Sequence, residues 1–188
     1  MKEIEDKKGS LALKEWAVVC QALAEGKQIF LLRKGGIRDQ TFQLQGEIFL
    51  LYPTLEHQTH EDVKEAYQDL FRRYGSFDEE EFIPISHYAE IVKDVQMNSL
   101  ESLKALSDHH IWTDAYLEKR FHYKSEKPLH LLVVRVYRLH KSHLHDYEER
   151  YAGCKSWVDL SETIPTDKAE PVLSDADFQR RLAELKLS

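Results

Sequence analysis

The chain has 188 residues, 42% hydrophobic and 31% charged, with a formal net charge of −7. This is the composition of a folded domain with room for one insertion, outside the disordered range. It excludes wholesale coating of nucleic acid, a membrane span of about 18 apolar residues and, from the charged start MKEIEDKKGS, a secretory signal.

Residues 1–10 are polar and expected to fray. Trp16–Leu23 (WAVVCQAL) and Gln28–Lys34 (QIFLLRK) flank Ala24-Glu25-Gly26-Lys27, and two β-rich runs around a glycine-containing connection predict a hairpin. A helix over 11–24 is the rival, because Ala12, Trp16, Val19 and Leu23 share one helical face. Gly35-Gly36 permits a sharp turn. Phe42–Leu44 and Glu47–Tyr52 predict two short strands, the second closed by Pro53. A helix is predicted from Thr59 or His60 to Arg73, with Val63, Ala66, Tyr67 and Leu70 on one stripe and Gly75 as its stop.

Asp78–Glu81 reads as a solvated acidic loop, and Phe82–Ile85 starts a strand. Residues 88–96 fit no single pattern. Ser99–Leu106 and Asp114–Phe121 predict short helices, the second capped by Thr113 or Asp114. Leu129–Leu139 (LHLLVVRVYRL) predicts a largely buried strand, Lys155–Leu160 a last strand, and Asp175–Leu187 a closing amphipathic helix. The fold class expected is α/β (α+β): one domain over 11–188 with a mixed central sheet flanked by helices. Cys20 and Cys154 are too few for a disulfide framework, so a reduced, cytoplasmic setting is expected.

Charge is unevenly spread. Glu56–Glu101 holds twelve acids and four bases, whereas Lys119–Lys141 holds seven bases and one acid. Such patches steer an anionic partner although the whole chain is acidic; a solvated face gives the same pattern.

Four constellations could carry chemistry. Arg33, Lys34, Gly35 and Gly36 set two cations beside amides that a glycine turn exposes, which suits phosphate; a solvated strand end looks the same. Tyr52, Thr54, Glu56, His57 and Gln58 lie between a strand and a helix, where His57 could move a proton and Gln58 could read a base edge; hydrogen bonding at the start of the helix is the alternative. Trp112, Tyr116, Phe121 and Tyr123 interleave with Lys119, Arg120, His122 and Lys124, a pattern that holds single-stranded nucleic acid or buries one aromatic side of a helix. His140, His143 and His145 with Asp146 could ligate zinc, but their spacing shares no one face, and a histidine-rich loop is expected. No metal or cofactor site is assigned.

Ala66–Gly75, within HEDVKEAYQDLFRRYG, resembles the A-x-R-E-L-x-E-E-x-G helix of the Nudix hydrolases. The order of elements is similar too, with a helical insertion over about 97–127. Where that family's helix carries two metal-binding glutamates, this chain has Arg72 and Arg73, which offer no acceptor to a cation. Gln68 replaces the arginine and Asp69 the partner glutamate. The resemblance therefore implies a scaffold without metal catalysis, in which Arg72 and Arg73 supply fixed positive charge. ALKEW, LLRKGGI, FLLYPTLEHQ and HHIWTDAYLEKRF also resemble the bacterial family catalogued as domain of unknown function 1802. Its association with endonuclease domains implies a nucleic-acid context and an endonuclease partner in restriction or defence.

The resulting expectation is a non-catalytic nucleotide or nucleic-acid recognition module. Phosphate would meet Arg33, Lys34 and Gly35-Gly36, and the base would meet His57, Gln58 and Trp112. The alternatives are a metal-dependent phosphohydrolase or nuclease accessory using His57 with Glu56, Glu61 or Asp69, and a protein-binding subunit using Asp78–Glu81. The oligomeric state is open.

Overall fold

The computed structural model describes residues 9–34, 38–39, 42–43, 48–74, 81–153 and 155–187. Its centre is a seven-stranded mixed sheet. Strands β1 (Leu11–Trp16), β2 (Phe30–Lys34), β5 (Ile48–Thr54), β6 (Phe82–Met97), β7 (Leu129–Asp146) and β8 (Trp157–Asp159) run in the order β2-β7-β6-β5-β1-β8. β9 (Glu170–Pro171) pairs with β7, and a separate two-stranded ribbon joins β3 (Arg38–Asp39) to β4 (Phe42–Gln43). Among the described residues of the large sheet only β1 and β5 run parallel, with Ala12 opposite Leu50 and Trp16 opposite Thr54. Helices α1 (Ala17–Ala24), α2 (Gln68–Tyr74), α3 (Leu100–Lys104), α4 (Asp114–His122) and α5 (Asp175–Glu184) flank it.

Alternation along the central strands builds a core on each face of the sheet. Leu11 and Leu13 of β1, with Phe49 and Leu51 of β5, enter one apolar cluster with α1 and the insertion. Ala12, Leu50 and Tyr52 enter a second cluster with Tyr151, Leu160 and Ile164.

The expected hairpin over 16–34 does not form. β1 lies between β5 and β8, β2 is an edge strand on β7, and α1 separates them. Val18 and Val19 are helical because every residue of α1 except Gln21 and Ala24 is buried, and burial outweighs a modest β preference. The glycine taken for a hairpin turn ends this helix instead. Gly26 N–H donates to Leu23 O at 3.0 Å and Lys27 N–H to Ala22 O at 2.9 Å, with Gly26 at φ 63°, which is a Schellman stop.

Other boundaries moved as well. Gly9 and Ser10 are not frayed, since their carbonyls accept from Ile164 and Leu160. β5 continues through Pro53; β6 pairs with β5 only over Ile48–Leu50, which leaves a side of the strand where a missing N–H is tolerated. The helix expected over 60–73 is broken into single 3-10 turns at His60–Asp62 and Glu65–Tyr67, followed by α2. The insertion competes for its backbone: Lys64 N–H donates to Ile111 O at 2.8 Å, Thr113 N–H donates to Asp62 O at 3.0 Å, and Val63 bridges Trp112. The histidine-rich segment 140–145 is not a loop but the outer end of β7. Residues 78–80 of the acidic run, Gly75 and Gly35-Gly36 lie outside the described residues.

Candidate nucleic-acid interface

The element that shapes the site is the segment 98–128 between β6 and β7. α3, α4 and the segment joining them fold back over the sheet because Leu103, Leu106, Ile111, Trp112 and Leu117 are buried in the main core. Ser99 and Thr113 cap the two helices, accepting from Ser102 N–H and Tyr116 N–H. This leaves a cleft of about 660 Å³ between α4 and the ends of β1 and β2.

The cleft gathers residues far apart in the chain. β1 supplies Lys14, Glu15 and Trp16, and β2 supplies Leu32, Arg33 and Lys34. The loop after β5 adds Thr54, Glu56 and His57, and Asp62 follows. The insertion contributes Trp112, Tyr116, Lys119 and Arg120, then Tyr123, Lys124 and Lys127. Gly153, Lys155 and Ser156 close the far side. Eight lysines and arginines thus face three carboxylates, a local excess of +5 on a chain of net charge −7.

The cations are held in different ways. Arg33 donates to Lys14 O and to Glu15 Oε2, both at 2.8 Å, and is 9% exposed, so it ties β2 to β1. Lys14 donates to the carbonyls of Tyr151 (2.9 Å) and Gly153 (3.2 Å) and lies 3.7 Å from Glu56. Lys119 pairs with Asp62 at 2.9 Å. Lys34 donates to Phe121 O at 2.6 Å and Lys127 O at 3.1 Å, and its ammonium lies 5.6 Å from the Phe121 ring. Partial burial, reinforced by the neighbouring Arg120 cation, holds its pKa below the usual lysine range. Among the described residues Lys34, Arg120 and Lys124 have no carboxylate partner.

Aromatic rings line the same walls. Trp16 and Tyr116 lie 4.9 Å apart, and Tyr116 stacks on Trp112 at 5.7 Å and 22°. Burial pushes the Tyr116 hydroxyl up to about 12, so it stays a neutral donor. Tyr123 is 52% exposed, with the Arg120 guanidinium 5.9 Å and the Lys124 ammonium 5.2 Å from its ring. Two donors on this side, Trp112 Nε1 and Arg120 Nε, are buried without a partner among the described residues. The aromatic–cation pattern of the insertion is therefore core packing at Trp112 and an open face at Tyr123.

Three of the four constellations converge here, in part. Arg33, Lys34, Glu56, His57 and Trp112 line the cleft, and His57 is exposed in the left-handed region at φ 63°. Tyr52 does not reach it. It is buried edge-on to Tyr151 at 6.1 Å, with Lys14 Nζ 5.8 Å from its ring. Gln58 is not among the residues lining the cleft; its Oε1 accepts from Val18 N–H at 3.4 Å, satisfying an orphan donor of α1.

Arg72 and Arg73 stand on α2 outside the cleft. Both pair with Asp69, at 3.6 and 2.9 Å, and Arg73 also approaches Glu25. Of the acid–base candidates, Glu56 and His57 line the cleft together, whereas Asp69 is engaged by Arg72 and Arg73 and Glu61 pairs with His60 at 3.2 Å. His145 of the histidine segment is buried between Glu162 (2.9 Å) and the Tyr151 hydroxyl (3.0 Å), and no cluster of three metal-ligating side chains occurs among the described residues.

Sequence reasoning missed Lys14, Trp16, Lys127 and the wall of Gly153, Lys155 and Ser156. A lysine in the apolar strand LALKEW was the one local signal; the rest are adjacent only through the parallel pairing of β1 with β5 and the return of β8.

Fold and cleft together define a mixed α/β domain with a basic, aromatic-lined concavity on an acidic body. The family model described as "Domain of unknown function (DUF1802)" matches residues 12–184, and the chain belongs to that family. No curated protein matches it. A crystal structure of a serine-to-alanine mutant of ZmASCH from Zymomonas mobilis is similar over 95% of this chain and 97% of that chain, with 11% identity and a TM-score of 0.47. A likeness that distant carries no argument about function. Neither finding bears on a Nudix layout or on an endonuclease partner.

Proposed function

We propose that the cleft between α4 and the ends of β1 and β2 is a recognition site for nucleic acid or its nucleotides. The observation that carries this reading is the excess of five positive charges among aromatic rings on a chain that is otherwise strongly acidic. Phosphate oxygens are met by Lys34, Arg120 and Lys124, none of which forms a direct ion pair with a carboxylate among the described residues. Bases are met by the exposed ring of Tyr123 and the upper edge of the Trp16–Tyr116 pair. Support for a binding module over a metal enzyme comes from Arg72, Arg73 and Asp69, which pair with one another outside the cleft.

Thermal melting with nucleoside mono- and triphosphates and short oligonucleotides, each with magnesium and with chelator, tests the proposal. A ligand at about 100 times its dissociation constant stabilises by about 2.7 kcal/mol. The expected result is a magnesium-independent rise in melting temperature that Lys34→Ala with Arg120→Ala removes. No rise with any of these ligands would overturn it.

A further inference from the structure

Resting on that reading, we infer that the cleft takes a short unpaired stretch of nucleic acid, several phosphates long, rather than a duplex or a single free nucleotide. Three observations select it. The first is shape. A duplex is read by an element that projects into a groove about 12 Å wide, whereas this site is a concavity of about 660 Å³ with cations on its rim. Unpaired bases enter such a hollow and a paired helix does not.

The second is the distribution of charge. With +5 in the cleft and −7 overall, the remainder of the chain carries −12. A long duplex lying across the mouth would meet that acidic surface and be repelled within about a Debye length of 8–10 Å. A short strand stays inside the positive region. Within it, Lys34, Arg120 and Lys124 are offered from β2, from α4 and from beyond the end of α4. Eight lysines and arginines line the cleft in all, more than a single terminal phosphate engages.

The third is the chemistry of the walls. Tyr123 presents an open ring flanked by two cations, the arrangement that stacks one base after another without regard to sequence.

Fluorescence anisotropy on the full chain decides it, with a fluorescein-labelled single-stranded RNA, the same strand annealed to its complement, the two DNA counterparts, and unlabelled nucleotides as competitors. The single strands are expected to bind at least about tenfold tighter than the duplexes. Three or four phosphate contacts give a slope of log affinity on log salt of about −2 to −3, at about 0.7 per phosphate for single strands. Tyr123→Ala, a surface change that spares the core, should weaken single-strand binding about 5- to 100-fold, with Tyr123→Phe restoring it. The RNA and DNA arms show which sugar is preferred. Equal or tighter duplex binding overturns the inference. So does a slope near −0.7 with free nucleotides competing as well as the oligomer, although the proposed function would then survive; no binding by any probe removes both.

Discussion

Lys34 Nζ donates to the carbonyl of Phe121 at 2.6 Å, joining the edge strand β2 to the last turn of α4. The ammonium thereby satisfies an orphan helix carbonyl while its charge stays available to an anion. Lys34→Ala is expected to lower affinity for a single-stranded oligonucleotide about tenfold and to flatten the salt slope by about 0.7. Because its pKa is held below the usual lysine range, the charge is lost earlier as pH rises. Binding should therefore weaken on the alkaline side before ordinary lysines titrate, and Lys34→Arg should abolish that early weakening. Anisotropy titrations across pH measure both effects.

Arg72 and Arg73 sit on a different surface from the cleft, paired with Asp69. Replacing both with alanine should leave oligonucleotide affinity unchanged within about twofold, because neither charge reaches the bound strand through more than a screened, solvent-exposed path. A loss comparable to that of Lys34→Ala would place a second anion contact on α2.

Gly26 ends α1 at φ 63°, and a Cβ there would come within 2.7 Å of Leu173 Cδ2. Gly26→Ala combines a left-handed backbone with a displaced core side chain. We expect a loss of about 1–3 kcal/mol in urea unfolding. Gly153, at φ 83° but with nothing within 4 Å of a Cβ, should lose less, which isolates the contribution of the clash.

Burial holds His87 down at about 4, aided by Arg138, and His110 at about 3, aided by Lys64. Both are neutral when folded and accept a proton more readily when unfolded, near 6.5. Between about pH 6.5 and 4 the unfolded chain binds more protons, so stability rises with pH and is lost as pH falls through this window. Each histidine steepens the loss by up to about 1.4 kcal/mol per pH unit. Urea midpoints from pH 7 to 4 should decline, and His87→Gln should make the decline shallower.

The Schellman stop at Gly26 and the broken helix at 60–73 show where local reading failed. A glycine between two apolar runs ends a helix or turns a hairpin with equal local logic, and only the placement of β1 beside β5 decided between them. The stripe Val63, Ala66, Tyr67, Leu70 looks helical, yet the insertion claims the backbone at Asp62, Val63 and Lys64. Gln58, polar and adjacent to His57, accepts the Val18 N–H of α1, a partner that no local pattern shows.

By itself the sequence determined the fold class, the strand at 129–139, the helices that begin at Asp114 and Asp175, and the cation–aromatic character of the insertion. These depend on neighbours within a few residues, where periodicity and capping act. The tertiary structure alone decided that Arg33, Lys34, His57 and Trp112 share one cleft with Lys14, Lys127 and Lys155. It also decided that Arg72 and Arg73 do not. A cleft is made by strand order and by the way an insertion folds over a sheet end, and both are set by packing between residues remote in the chain, which no local pattern encodes.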